Sequence, residues 1–223
     1  MPRTARVDVG GEVYHVINRA NGRAMIFSEP QHYKLFENLL RETKELVDMR
    51  ILGYVLMPNH WHLVLHPKND GDLGTFMHRL TNAHTRKVHA ATNTNGSGHL
   101  YQGRYKSFLV DTDSYLLTLI KYVERNPVRA RLAKQCENWQ WGSAWRRING
   151  TKEQVKLLDP GPTPFPRGYR SWINSPDKED DLTAIRASIR KAIPYGSSTW
   201  VEKMVIKHDL ASTLREPGRP RVR

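Results

Sequence analysis

The chain is short of cysteine, of acidic residues and of long apolar runs, and each shortage removes a class of protein. Cys136 is the only cysteine in 223 residues, which excludes intrachain disulfides and a cysteine-built zinc site. No apolar run reaches about 18 residues and no signal-peptide pattern is visible, so a soluble cytoplasmic protein without membrane contact is expected. Carboxylates number 22 against 35 Lys and Arg, leaving a net charge of +13 and a pI near 10.0. The excess is not confined to one end: residues 1–150 carry 21 Lys and Arg against 13 Asp and Glu, and residues 151–223 carry 14 against 9. A charge spread in this way suits a long anionic ligand, and nucleic acid is the first expectation for such a globular protein. With 39% hydrophobic residues the chain can still bury a core, so it is not a disordered polyelectrolyte.

What is present reads first as alternating strands and helices. Glu12 to Asn18 alternates as a strand and ends in the turn chemistry of Ala20-Asn21-Gly22. Ser28 is the expected N-cap of a helix through Asp48, with Pro30 in its first turn and Tyr33, Phe36, Leu39, Leu40 and Val47 on its apolar stripe. Ile51 to Met57 is a nearly continuous apolar strand, and Pro58-Asn59 turns it into a second strand, His60 to His66. A helix from Leu73 to His89 follows, then a polar loop over Thr92 to Gly98 and a strand from Tyr105 to Val110. The order strand, helix, strand, strand, helix, strand predicts an α+β, ferredoxin-like antiparallel sheet, with its helices on one face and the other face free for a site. A third helix, Asp113 to Asn126, carries Leu116, Leu119, Ile120 and Val123 at core spacing, and Pro127 is expected to end it.

Two motifs carry chemistry. In a strand, His60 and His62 project to one face about 6.6 Å apart along the chain, with Trp61 turned away. Neutral imidazoles so placed can converge on a divalent metal, although two histidines at a strand end can equally do no more than bind water. Tyr122 sits one turn before the end of the third helix, on the flank of its stripe, and Asn126 falls within about 40° of it at helical pitch. A partly exposed tyrosine there can attack a substrate, or it can cap the core with its ring and wet its hydroxyl.

Together, Pro58-Asn59-His60-Trp61-His62 and Tyr122-Val123-Glu124-Arg125-Asn126-Pro127-Val128 resemble the single-tyrosine HUH transposases. Within them the chain resembles the REP-associated tyrosine transposases, which act on bacterial repetitive extragenic palindromes. His15-Val16-Ile17-Asn18-Arg19, Gly103-Arg104-Tyr105-Lys106-Ser107 and Trp139-Gln140-Trp141-Gly142-Ser143 are also similar to family stretches, and residues 10–150 are covered better than the tail. The resemblance implies that His60 and His62 hold Mg²⁺ or Mn²⁺ with Asn126 as third ligand. It implies that Tyr122 is the nucleophile, forming a 5′-phosphotyrosine and releasing a 3′-OH that can attack back. Cleavage and joining of single-stranded DNA then come from one site without ATP. The partner so implied is single-stranded or hairpin DNA of the REP type. The protein is expected to be cytoplasmic and nucleoid-associated, and to act as a monomer, with a dimer left open.

Arg19, Arg23, Arg104, Lys106, Arg125 and Arg129 cluster near these motifs and are candidate phosphate contacts, with solvated roles as the competing reading. Tyr101, Tyr105 and Trp61 are candidates to stack bases, against core packing. The organisation expected is a catalytic domain over residues 1–150, a Pro-rich linker or surface arm over 151–180, and a small helical, basic DNA-binding tail over 181–223. Arg219 and Arg221 lie in a Gly-Arg-Pro-Arg run that resembles a minor-groove arm, and such a tail can also fold over the site. Two other function classes compete: a domesticated hairpin-DNA-binding protein without turnover, and a hydrolytic metal phosphoesterase in which Tyr122 is structural. The lack of acidic ligands beside the histidines weighs against the last.

Overall fold

The computed structural model describes residues 6–94, 96 and 98–215. Four strands form one antiparallel sheet: β1 (Val13–Arg19), β2 (Arg50–Met57), β3 (His60–His66) and β4 (Lys106–Val110), in the order β2-β3-β1-β4. This is the expected ferredoxin-like plan. Helices α1 (Pro30–Leu46) and α2 (Asp72–Thr92) supply its two crossovers, and α3 (Ser114–Glu124) follows β4. Strand alternation sorts the core into two layers. Tyr14, Val16, Tyr54, Leu56, Trp61, Leu63 and Leu65 face Phe36, Leu40, Phe76, Met77 and Leu80 on α1 and α2. Val13, Leu52, Val55, Val64, Phe108 and Val110 face the other way.

That second face, expected to be free, is instead covered. Leu116, Leu119, Ile120 and Val123 of α3 pack on it, as do Leu182 and Ile185 of a later helix. The reason is reciprocal: the sheet face is apolar over most of its area, and the α3 stripe has no other surface to bury against. Asp113 caps α3, its carboxylate accepting from the Tyr115 amide at 2.9 Å.

Two helix boundaries differ from the sequence reading. Glu29, not Ser28, occupies the N-cap of α1, at φ −133° and ψ 155°. Pro30 forces the residue directly before it into extended backbone, so the cap falls there, and Ser28 pairs with His32 instead. Pro127 does not follow the last turn of the tyrosine helix. α3 ends at Glu124, and a new turn, α4 (Asn126–Arg129), starts with Pro127 in its first turn, where a missing N–H goes unnoticed.

The remaining chain folds back on the sheet through α5 (Ser143–Asn149), α6 (Lys152–Val155), α7 (Tyr169–Asn174), α8 (Glu179–Lys191), α9 (Ser198–Lys207) and α10 (Ala211–Leu214). The Pro-rich arm is anchored where it begins. Asp159 exchanges bonds with the Ile51 backbone and pairs with Lys44 at 2.6 Å. Tyr195 bridges to β4 and the Leu56 amide donates to the Trp141 carbonyl at 2.9 Å, so each edge strand of the sheet is partly covered by returning chain. Met204, Val205 and Leu210, on and beyond α9, join the first core layer, so the chain through α9 to Leu210 packs as part of the fold. No helix among the described residues is long and apolar enough to cross a membrane.

Candidate active site

The polar end of the second sheet face lies at the β2–β3 hairpin. His60 and His62 emerge there on one side of β3, ring centroids 5.2 Å apart, while Trp61 points into the opposite core layer and is fully buried. Each imidazole has its Nδ1 engaged inside the protein. His60 Nδ1 meets Asn59 Oδ1 at 2.6 Å, and His62 Nδ1 meets His15 Nε2 at 2.8 Å. These contacts leave Nε2 as the ring nitrogen of each that could meet a ligand. Burial pushes His60 down to about 4, with Arg19 adding to it, and His15 down to about 3. Burial, followed by the charges of its neighbours, also holds His62 well below the ordinary histidine value. All three are therefore neutral near pH 7, the state in which an imidazole can ligate a metal.

Tyr122 reaches the same place from α3. Its ring stands edge-on to His62 at a centroid distance of 6.1 Å. It is 8% exposed, where partial exposure was expected, because the segment from Trp172 to Ile185 folds over it and leaves a cavity of about 360 Å³ lined also by Lys121 and Asp177. Burial raises its phenol pKa, while Arg129 and Arg186 pull it the other way. The Arg129 guanidinium lies 4.2 Å from the ring centre and also bonds the Tyr122 carbonyl. The Asn126 amide nitrogen donates to the carbonyls of Tyr122 and Val123 at 3.2 Å, so its oxygen is the atom left to offer a cation.

His60 and His62, neutral and with their Nδ1 atoms engaged, and the Asn126 amide oxygen are donors of the kind that a divalent cation such as Mg²⁺ or Mn²⁺ accepts, and such a set would leave positions open for phosphate. Among the described residues no three His, Cys, Asp or Glu side chains converge as a metal site.

The candidate DNA contacts divide into three groups. Arg19 lies opposite His60, and Lys106 lies opposite Ile17, itself opposite His62, so both exposed side chains stand on the histidine face. Arg23 is exposed beside the hairpin turn, and Arg104 lines a separate cleft of about 530 Å³ between α2 and the segment before β4. Arg125 and Arg129 are committed to Asp177, at 2.9 and 3.1 Å. Arg219 and Arg221 lie outside the described residues. Two of the proposed stacking aromatics are core residues. Trp61 is buried and donates to Tyr101, which also bonds His84, and Tyr105 lies under Arg6.

Four participants went unassigned in the sequence reading: His15, Asn59, Glu124 and Asp177. The parity of His15 on β1 was visible, but its meeting with His62 depends on the strand register. Glu124, fully buried, receives Arg147, Ser143 and Tyr169 and so ties the end of α3 to α5 and α7. Its signal, a carboxylate in the tyrosine motif, does not reveal partners that lie up to 45 residues away.

No curated protein matches the chain. The fold is similar to that of a REP-associated tyrosine transposase solved bound to a REP hairpin, at 16% identity and a TM-score of 0.56, covering 75% of this chain and 96% of that one. A candidate transposase from Deinococcus radiodurans R1 is 18% identical over 62% of this chain and 98% of its own, with a TM-score of 0.40, too low to carry weight. The family model described as "Transposase IS200 like" matches residues 9–126, a span that holds His15, His60, His62, Tyr122 and Asn126. The chain belongs to the family of IS200-like transposases.

Proposed function

We propose that this protein is a metal-dependent single-stranded DNA endonuclease and strand transferase acting on REP-type palindromic hairpins through a covalent 5′-phosphotyrosine. The observation that carries the reading is the edge-on approach of Tyr122 to His62, with His60 beside it and the Nδ1 atom of each histidine engaged by a neighbour. A Mg²⁺ or Mn²⁺ held by His60, His62 and Asn126 would polarise the scissile phosphate when bound. Tyr122 Oη attacks phosphorus, the phosphorus–O3′ bond breaks, and the proton given up by the phenol passes through water to the departing 3′ oxygen, which leaves as the 3′-OH. Burial raises the phenol pKa, so the charges of Arg129, over the ring, and Arg186 are what this chain itself contributes toward the phenolate. The reverse attack by a 3′-OH restores a phosphodiester and frees Tyr122. The substrate assignment is supported by the basic edge formed by Arg19 and Lys106, and by the REP hairpin bound to the solved relative. A monomer is proposed, since histidines, tyrosine and asparagine all come from one chain.

The test is a denaturing gel of full-length protein, Mn²⁺ and a hairpin oligonucleotide labelled on the 3′ side of the scissile phosphate. A slow-migrating covalent band is expected with wild type and not with Tyr122→Phe; an equal band with the variant would move the nucleophile elsewhere. A second reading, hairpin binding without turnover, is favoured by the low exposure of Tyr122 beneath the Asp177 segment. Tight hairpin binding with no adduct from any hairpin would support it instead.

A further inference from the structure

We propose that His15 is a positioning residue: it accepts the Nδ1 proton of His62 and thereby keeps His62 Nε2 available to a divalent cation. The inference rests on the metal-dependent reading above and adds to it a residue outside the His-x-His motif. The geometry is direct. β1 and β3 pair with Ile17 opposite His62, so His15, two residues along, shares the His62 face and sits diagonally across the strand pair. Its Nε2 lies 2.8 Å from His62 Nδ1, its ring packs on Phe108 at 4.8 Å, and it has no exposed surface.

The two neutral rings share one hydrogen along that line. A nitrogen that binds a cation cannot carry a proton, so ligation through His62 Nε2 requires the hydrogen on His62 Nδ1. His15 Nε2 is then the acceptor it meets. Asn59 Oδ1 does the same for His60, so each candidate ligand has its own acceptor behind it. The cost is visible at the far side of His15, where Nδ1 is buried without a hydrogen-bond partner. A purely structural side chain at this position would pack more easily as Phe or Leu. His15 is not itself a ligand candidate, because its Nε2 is spent on His62 and its Nδ1 points into the interior.

The test is Mn²⁺ affinity of the full-length protein without DNA, measured by calorimetry and by the loss of the free Mn²⁺ electron-resonance signal. His62→Ala and Tyr122→Phe serve as references. His15→Phe should fold with a similar melting temperature and bind Mn²⁺ about 10- to 100-fold more weakly, the usual effect of removing such a partner. His15→Gln, whose amide oxygen can reach the place of Nε2, should recover most of the affinity. Should His15→Phe fail to fold, His15→Gln against His15→Met decides the matter, because only the former retains an acceptor. Wild-type affinity in His15→Phe, with His62→Ala impaired, overturns the role of His15 and leaves the metal site standing. Wild-type protein that does not bind Mn²⁺ overturns both. In Mg²⁺-loaded protein, nitrogen-resolved NMR should show His62 carrying its hydrogen on Nδ1; a hydrogen on Nε2 contradicts the proposal.

Discussion

A histidine coordinates a metal only through an unprotonated nitrogen, and at His60, His62 and His15 burial is the main cause of the neutral form. The same physics operates at His84, away from the site, which is fully buried, bonded to the Tyr101 hydroxyl at 2.7 Å and pushed down to about 3. In the unfolded chain this group protonates near 6.5. Between pH 6.5 and about 3 the unfolded state therefore binds the extra proton, and the stability present above that window is lost as pH falls. Each such histidine contributes at most about 1.4 kcal/mol per pH unit. A His84→Gln variant should show a shallower fall of the urea midpoint from pH 7 to 4 than wild type. An unchanged slope would mean that His84 is not neutral in the fold. Residues on the rim answer to charge instead. Arg19→Ala and Lys106→Ala should each reduce the slope of log affinity against log salt for a hairpin oligonucleotide by about one, the effect of losing one phosphate contact. A slope identical to wild type would take them off the DNA path.

The element on which the site turns is α3. Its stripe of Leu116, Leu119, Ile120 and Val123 sets its rotation over the sheet, and that rotation brings Tyr122 to His62. Its far end is held by Glu124, buried among Arg147, Ser143 and Tyr169. Removing the carboxylate leaves the Arg147 charge buried and unpaired, so Glu124→Ala should lower unfolding free energy by roughly 3–5 kcal/mol in urea titration. A loss under about 1 kcal/mol would show that the network does not anchor the helix. How much could be read without coordinates follows the same division. The hairpin, the shared face of His60 and His62 and the α3 stripe are local and periodic, so alternation and helical pitch exposed them. Glu124, Asp177 and His15 act through partners 45, 52 and 47 residues distant, and nothing local encodes those meetings. The apolar content of the second sheet face was visible, yet which helix would cover it depended on how the chain returned after β4.

At the scale of the whole molecule, residues 151–215 are bound into the fold rather than trailing from it. Asp159 fixes its start to β2, Tyr195 extends the sheet at β4, and Met204 and Val205 enter the first core layer. Asp177 holds Arg125 and Arg129 together beside Tyr122, so the tyrosine, its flanking cations and the returning chain form one unit. An IS200-like transposase built in this way gathers its proposed nucleophile and metal ligands within a single chain. The claim is tested most directly by trapping the product of wild-type protein, Mn²⁺ and a REP-type hairpin, digesting it with trypsin, and locating the nucleotide by mass spectrometry. The account predicts the mass of the 3′ DNA fragment's 5′-phosphate on the peptide cut after Lys121, at Tyr122. Nucleotide found on another residue, or cleaved DNA with no protein attached at any time point, would contradict it.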